Sequence, residues 1–258
     1  MLSDDQQSFR DRRLRFGSAA DAYHAFRPPY PDEAVDWALE PGNPVDRILD
    51  LAAGTGKLTG SLINRAAEVI AVEPDSAMLD VLHTTFPPVR ALAGSAENIP
   101  LPDSSVDAVV VGQAFHWFDP LAAGREIARV LRPGGVLAAL WNSEDARVDW
   151  VAGYHRAADS SGRVPGVPQG SERAELPRLG LFELAGRREF DYVRRLTVER
   201  LISELSTHSW ALVSTETDRE AVFEGIRRYF GSRADLVAQD GTLELPMRTL
   251  VARARRLG

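Results

Sequence analysis

The chain has 258 residues, 44% of them hydrophobic and 26% charged, with a formal net charge of −7. It is long enough to bury a core without covalent staples, and having no cysteine it excludes disulfides, cysteine-bound zinc, iron–sulfur clusters and thiol nucleophiles. Of the 30 basic residues one is a lysine, Lys57. Amine chemistry is therefore confined to one position, and a Tyr-x-x-x-Lys pair is excluded because Ala53 stands where the tyrosine would be. The acidic balance argues against a nucleic-acid partner. There is no run of about 18 apolar residues to span a membrane, and the polar start MLSDDQQSFRDRRLRF lacks a signal-peptide core. The expectation is a cytoplasmic protein.

The first fifteen residues read as a charged, solvated segment. From Arg47 short apolar runs alternate with helical stretches. RILDLA (47–52) reads as a buried strand, KLTGSLINRA (57–66) as a helix, VIAVE (69–73) as a strand and SAMLDVLHTTF (76–86) as a helix. VRALAG (89–94) is a third strand and VDAVVVGQ (106–113) a fourth. LAAGREIARVLR (121–132) is a helix closed by Pro-Gly-Gly at 133–135, and GGVLAALW (134–141) is a fifth strand. Continuous apolar strands spaced by helices indicate a parallel sheet covered on both faces. Residues 159–180 read as a surface excursion. RREFDYVRRL (187–196) alternates as a strand, VERLISELSTHSWAL (198–212) and REAVFEGIRRYF (219–230) read as helices, and ELPMRTLVARARR (244–256) closes the chain as a strand. The expected architecture is α/β, one domain over 1–258. Its Rossmann-like sheet has seven mostly parallel strands, helices on both faces, an antiparallel C-terminal hairpin and a helical insertion.

ILDLAAGTGKLT (48–59) carries the strongest chemical signal: a strand ending in an acidic residue, a turn of very small residues, then a helix start. Gly54 and Gly56 allow torsions denied to other residues and let a ligand approach the main chain, and the following helix start offers free amides. A mononucleotide P-loop fails here, with Leu58 after Gly56-Lys57 and Leu51 at the first glycine position. Lys57 is then expected to face solvent. A dinucleotide G-x-G-x-x-G is damaged by Thr59, although Glu73 stands at the right distance for a ribose. S-adenosylmethionine (SAM), which also presents a ribose diol, is the third reading.

The loop led by Asp50 resembles the acidic-x-Gly-x-Gly-x-Gly loop of class I SAM-dependent methyltransferases. GSAENIPLPDSSVDAVVVGQAFHWFD (94–119) is similar to that family's adenine segment and fourth strand, and VLRPGGVLAALW (130–141) to its fifth-strand motif. FGSAADAYHAFRPPYP (16–31) is similar to the lid of small-molecule members. The nearest subgroup is the methyltransferase type 11 group of ubiquinone/menaquinone-biosynthesis-like and trans-aconitate-like enzymes. The resemblance implies a lid over 1–31, a SAM-binding core over 32–141, and a substrate-side insertion with closing strands over 142–258.

It also implies roles. Glu73 would take the ribose hydroxyls, followed by Pro74; Asp50 would orient the loop or receive the methionine ammonium. Ala52 replaces the usual first glycine, tolerably if its φ is negative. Met78 would pack on adenine, Ser95, Ala96 and Glu97 would form the adenine segment, and Gln113 and Ala114 would lie beside the methionine part. Tyr23 and Arg27 of the lid would reach the cofactor, Arg27 by pairing with its carboxylate. Tyr30, His116 and Trp117 would meet the substrate, His116 as a general base. His208, Trp210 and Tyr229 read as core aromatics that could line an acceptor pocket. No metal is implied. The expected activity transfers a methyl group from SAM to a small molecule, giving S-adenosylhomocysteine (SAH), by a monomer or homodimer. A SAM-binding regulatory protein without transferase activity is the alternative, and a nicotinamide-dependent oxidoreductase a more distant one.

Overall fold

The computed structural model describes residues 20–40, 44–158, 176 and 180–258. In chain order the helices are α1 (Ala20–Phe26), α2 (Asp32–Leu39), α3 (Thr59–Leu62), α4 (Ser76–Thr85), α5 (Pro120–Val130), α6 (Asp149–Ala158), α7 (Val198–Leu205), α8 (Ser209–Val213) and α9 (Glu216–Gly231). The strands are β1 (Arg47–Leu51), β2 (Glu68–Glu73), β3 (Arg90–Ala93), β4 (Val106–Gly112), β5 (Leu131–Glu144), β6 (Phe182–Thr197) and β7 (Thr242–Arg256). They form one sheet in the order β3-β2-β1-β4-β5-β7-β6. The first five strands pair in parallel, and the C-terminal pair is antiparallel. The order reverses between β1 and β4, a switch point where open α/β sheets bind ligands beyond the carboxyl ends of their strands.

The chain divides into two compact units, Pro28–Asn142 with Gly170–Phe190 and Thr249–Gly258, and Met1–Arg27 with Ser143–Gln169 and Asp191–Arg248. In the first unit the two-residue period of the strands separates two apolar layers. Leu49, Leu51, Ile70, Val72, Val109, Val111, Leu137 and Ala139 face the layer that holds Ile127 of α5. Ile48, Val69, Ala108, Val110, Val136, Ala138 and Leu140 face the layer that holds Ala34 and Val35 of α2. The second unit has its own core, built from Val151 and Tyr154 of α6, Leu201 and Leu205 of α7, Ile226 and Phe230 of α9, and Leu243 and Leu245 of β7.

Three of the expected helices differ from the sequence expectation. The helix expected over 57–66 shrinks to the four residues of α3, whose N-cap residue Leu58 provides no side-chain cap. Turns occupy Gly54–Leu58 ahead of it, and Gly60 weakens the helix further. The helix expected over 121–132 ends at Val130, because Leu131 pairs with Val106 of β4 and Pro133 disfavours a helical residue before it. The helix expected over 198–212 breaks at Ser206–His208 into α7 and α8. The charged start (1–15), the first four residues of the proposed lid motif (16–19) and most of the 159–180 excursion lie outside the described residues.

Candidate cofactor site

The carboxyl ends of β1, β2 and β4 gather the expected residues within the first unit. Asp50 is fully buried at the end of β1. Its Oδ2 accepts from the Thr59 hydroxyl at 2.6 Å, and its Oδ1 has no hydrogen-bond partner. Burial, reinforced by the nearby Glu73 charge and only partly offset by Thr59, pushes its pKa up to about 7. The chain then turns through left-handed backbone at Ala52 (φ 57°), Gly54 (φ 57°) and Gly56 (φ 86°). At Gly56 a Cβ would stand 2.8 Å from the Phe86 ring, so both torsion and space require glycine there.

Ala52 departs from the expectation of a negative φ. The left-handed region costs a non-glycine residue about 1–2 kcal/mol, and glycine costs about 0.4–1 kcal/mol in unfolded-chain entropy. Ala52→Gly is therefore expected to stabilise the protein by about 0.5–1 kcal/mol, read as a raised midpoint in urea unfolding; a lowered midpoint would show that the loop holds Ala52 without strain.

Glu73 is buried at the end of β2. Its Oε2 accepts from Gly54 N at 2.9 Å and its Oε1 from Asp75 N at 2.9 Å. Asp75 in turn caps α4, its Oδ1 accepting from Ala77 N and Met78 N. One carboxylate thus fixes the glycine loop and the start of the next helix together, with charge-assisted bonds. Met78 is buried in the first turn of α4, its sulfur 3.6 Å from where a Cβ on Gly54 would lie. Pro74 is exposed.

After β3, Ser95 and Asn98 bridge through their backbones, Ala96 is buried in the α5-side layer, and Glu97 Oε1 accepts from Asp119 N at 3.1 Å. After β4, Gln113 also has left-handed backbone (φ 59°), its Nε2 donating to the Asn142 carbonyl at 2.8 Å. Ala114 leads into a single 3-10 turn, Phe115–Trp117. The His116 and Trp117 rings lie 4.8 Å apart at 40°, both half-buried. Tyr30 is buried against Gly112 and Leu58 as part of the α2-side layer. Lys57, expected to face solvent, is half-buried.

The remaining residues belong to the second unit. Arg27 donates from Nε to the Thr207 hydroxyl at 3.1 Å and lies over the Tyr23 ring at 5.1 Å. Trp210 meets Phe223 edge-on, and the Tyr229 hydroxyl donates to the Trp150 carbonyl at 2.9 Å. The sequence reading missed the polar groups in this interior. His155 Nε2 and Glu144 Oε2 are 2.5 Å apart, and Arg194 pairs with Glu204 at 2.7 Å. Burial outweighs Arg194 and raises the Glu204 pKa. Burial, then the Glu144 charge, raises that of Tyr154. Burial, then Arg27 and His155, lowers that of His208, so it is neutral near pH 7. No sequence spacing marks this cluster, since its members come from four elements and the Ser206–His208 break.

A surface hollow lined by Arg125, Arg129 and Arg256 lies at the opposite, amino-terminal end of β5. There Arg256 donates to the Leu131 carbonyl, and Arg129 is held by Glu126 and Asp103. Among the described residues no group of three or more His, Asp and Glu could hold a metal ion, and no helix is long and apolar enough to cross a membrane.

This fold, with an acidic strand end beside a left-handed glycine loop at the switch point, defines the Rossmann-like class of nucleotide-binding α/β proteins. Residues 49–139 match the model of a methyltransferase domain. An uncharacterized methyltransferase of Mycobacterium bovis is 42% identical over 247 residues, covering 96% of this chain and 98% of the relative's. A methyltransferase-like protein of Schizosaccharomyces pombe is 38% identical over 207 residues, 78% of this chain and 79% of its own. Among solved structures, a candidate type II methyltransferase of Anaeromyxobacter dehalogenans superposes with a TM-score of 0.68 at 24% identity over 90% of this chain and 98% of that one. The [4+2]-cyclase SpnF superposes with a TM-score of 0.52 at 19% identity, over 88% and 82%. The chain belongs to the class I SAM-dependent methyltransferase family.

Proposed function

We propose that this protein transfers the methyl group of SAM to a small-molecule acceptor and releases SAH. The observation that carries this reading is the Glu73 carboxylate at the end of β2, bonded to Gly54 N of the left-handed loop. A ribose diol accepted by an acidic strand end, beside main chain that a ligand can approach, fits a nucleoside. The unpartnered Oδ1 of Asp50 supplies a further buried acceptor at the same strand ends.

Bound SAM supplies an electrophilic methyl on a sulfonium, which an acceptor lone pair takes in line. The protein's own part is positioning. Glu73 holds the ribose, Met78 with Ser95, Ala96 and Glu97 the adenine, Gln113 and Ala114 the methionine portion, and Asp50 the loop. His116 takes the acceptor's proton where one must leave, and the Trp117 face stabilises positive charge. Tyr23 and Arg27 keep their lid roles on the family resemblance. Tyr30 acts by shaping the wall, since it is buried. The single-domain reading over 1–258 belongs to this proposal.

A malonyl-[acyl-carrier protein] O-methyltransferase of Methylococcus capsulatus is 42% identical over 103 residues, 38% of each chain. That is too short a match to carry its acceptor across. Methyl transfer itself does not follow from the fold, because a [4+2]-cyclase shares it. Titration calorimetry tests the reading: SAM and SAH are expected to bind, and NAD and NADP to give no heat. Binding of a nicotinamide cofactor instead would overturn it. SAM binding without methyl transfer to any of a panel of carboxylate, phenol, amine and carbon acceptors would favour the regulatory alternative. His116→Ala is expected to lower turnover at least tenfold with SAH affinity within twofold of wild type; full activity would return His116 to a packing role.

A further inference from the structure

Asn142, at the carboxyl end of β5, ties together three segments of the first unit. Its main-chain carbonyl accepts from Gln113 Nε2 at 2.8 Å. Its Nδ2 donates to the Pro29 carbonyl at 3.1 Å, and its Oδ1 accepts from the buried Thr249 hydroxyl of β7 at 2.5 Å. The amide orientation is fixed by its partners, since a carbonyl can only accept and Nδ2 must therefore face Pro29. An aspartate lacks that donor, and a glutamine is one methylene too long for both bonds at once.

What Asn142 holds is the wall of the methionine end of the cofactor site. Pro29 is followed by Tyr30, whose hydroxyl stands 2.6 Å from where a Cβ on Gly112 would lie. Gly112 is the last residue of β4 and pairs with Leu140, two residues before Asn142. Gln113 follows in left-handed backbone, a conformation that costs free energy and persists where its surroundings over-determine it. Its main-chain N donates to the Leu140 carbonyl at 2.9 Å and its side chain to Asn142. The segment Pro28–Tyr30 and the β4 exit are therefore fastened to one point.

We propose that Asn142 is a positioning residue for the methionine half of the cofactor, acting through Gln113 and the Pro29–Tyr30 segment without touching the ligand. This rests on the SAM reading above. It separates the site into two halves: Glu73, Met78 and Ser95 hold the nucleoside, and Asn142 organises the part that meets the amino-acid tail.

The test compares two ligands that share the nucleoside, SAH and 5′-methylthioadenosine, by titration calorimetry. Asn142→Ala is expected to weaken SAH binding tenfold or more and to leave 5′-methylthioadenosine within twofold of wild type. A general loosening of the fold would weaken both ligands alike. Thr249→Val, which removes only the hydroxyl that holds Oδ1, is expected to weaken SAH threefold or more in the same selective way, and it serves if the Asn142 variant does not fold. Equal effects on the two ligands, or none on either, would overturn the positioning role. A wild-type protein that binds neither ligand would overturn the SAM reading and this inference with it.

Discussion

Glu73→Ala is expected to raise the dissociation constant for SAH ten- to a hundredfold and to lower the unfolding free energy by about 2–4 kcal/mol. The two effects have different sources. The affinity loss is that of a charge-assisted acceptor for ribose hydroxyls, worth about 1–3 kcal/mol. The stability loss arises because the same carboxylate satisfies Gly54 N and Asp75 N, each at 2.9 Å, and alanine leaves both part-buried amides without that acceptor. Calorimetry and urea unfolding separate them. SAH affinity unchanged in a stably folded variant would take the ribose away from Glu73. Unchanged stability would show that water replaces the carboxylate. Glu73→Gln is expected to fall between, because an amide can accept from only one of the two donors and turns its NH₂ toward the other.

Asp50→Asn has an effect set by pH. Burial holds the wild-type pKa at about 7 against 3.8 for an ordinary aspartate. A group whose folded pKa is raised contributes its full stability below the unfolded value and loses it as pH climbs to the folded one. At about 1.4 kcal/mol per pKa unit, wild type forfeits on the order of 4 kcal/mol across that window, most of it between pH 5 and 7. Asparagine keeps an acceptor for the Thr59 hydroxyl and carries no charge. The stability of Asp50→Asn relative to wild type is thus expected to grow by about 3 kcal/mol between pH 5 and 8, measured by urea unfolding at each pH. A pH-independent difference would refute the buried ionisation.

The parallel half of the sheet was legible because its strands are continuous apolar runs and its two periods, 2 and 3.6, alternate cleanly. The place of Glu73 was legible because the apolar run VIAVE ends on it, so the acid falls at the carboxyl end of β2. Ala52 was misjudged: a small residue at a glycine position shows its volume in the sequence but not its φ. Asn142 was invisible, since its partners Pro29, Gln113 and Thr249 are 113, 29 and 107 residues away and no local pattern announces a tether. The same holds for Glu144, His155, Arg194 and Glu204, whose pairing depends on how α6, α7 and the long strands pack.

The N-terminal helix α1 and the late helices, far apart in sequence, share one unit. Arg27 donates to Thr207, Arg200 donates to the Ala25 carbonyl, and Arg200 lies over the Phe26 ring at 4.4 Å. Anyone exchanging residues 191–248 for another sequence must therefore exchange residues 20–27 with them. A chimera that replaces the late segment alone strands Arg27 without its threonine and α1 without its arginine clasp.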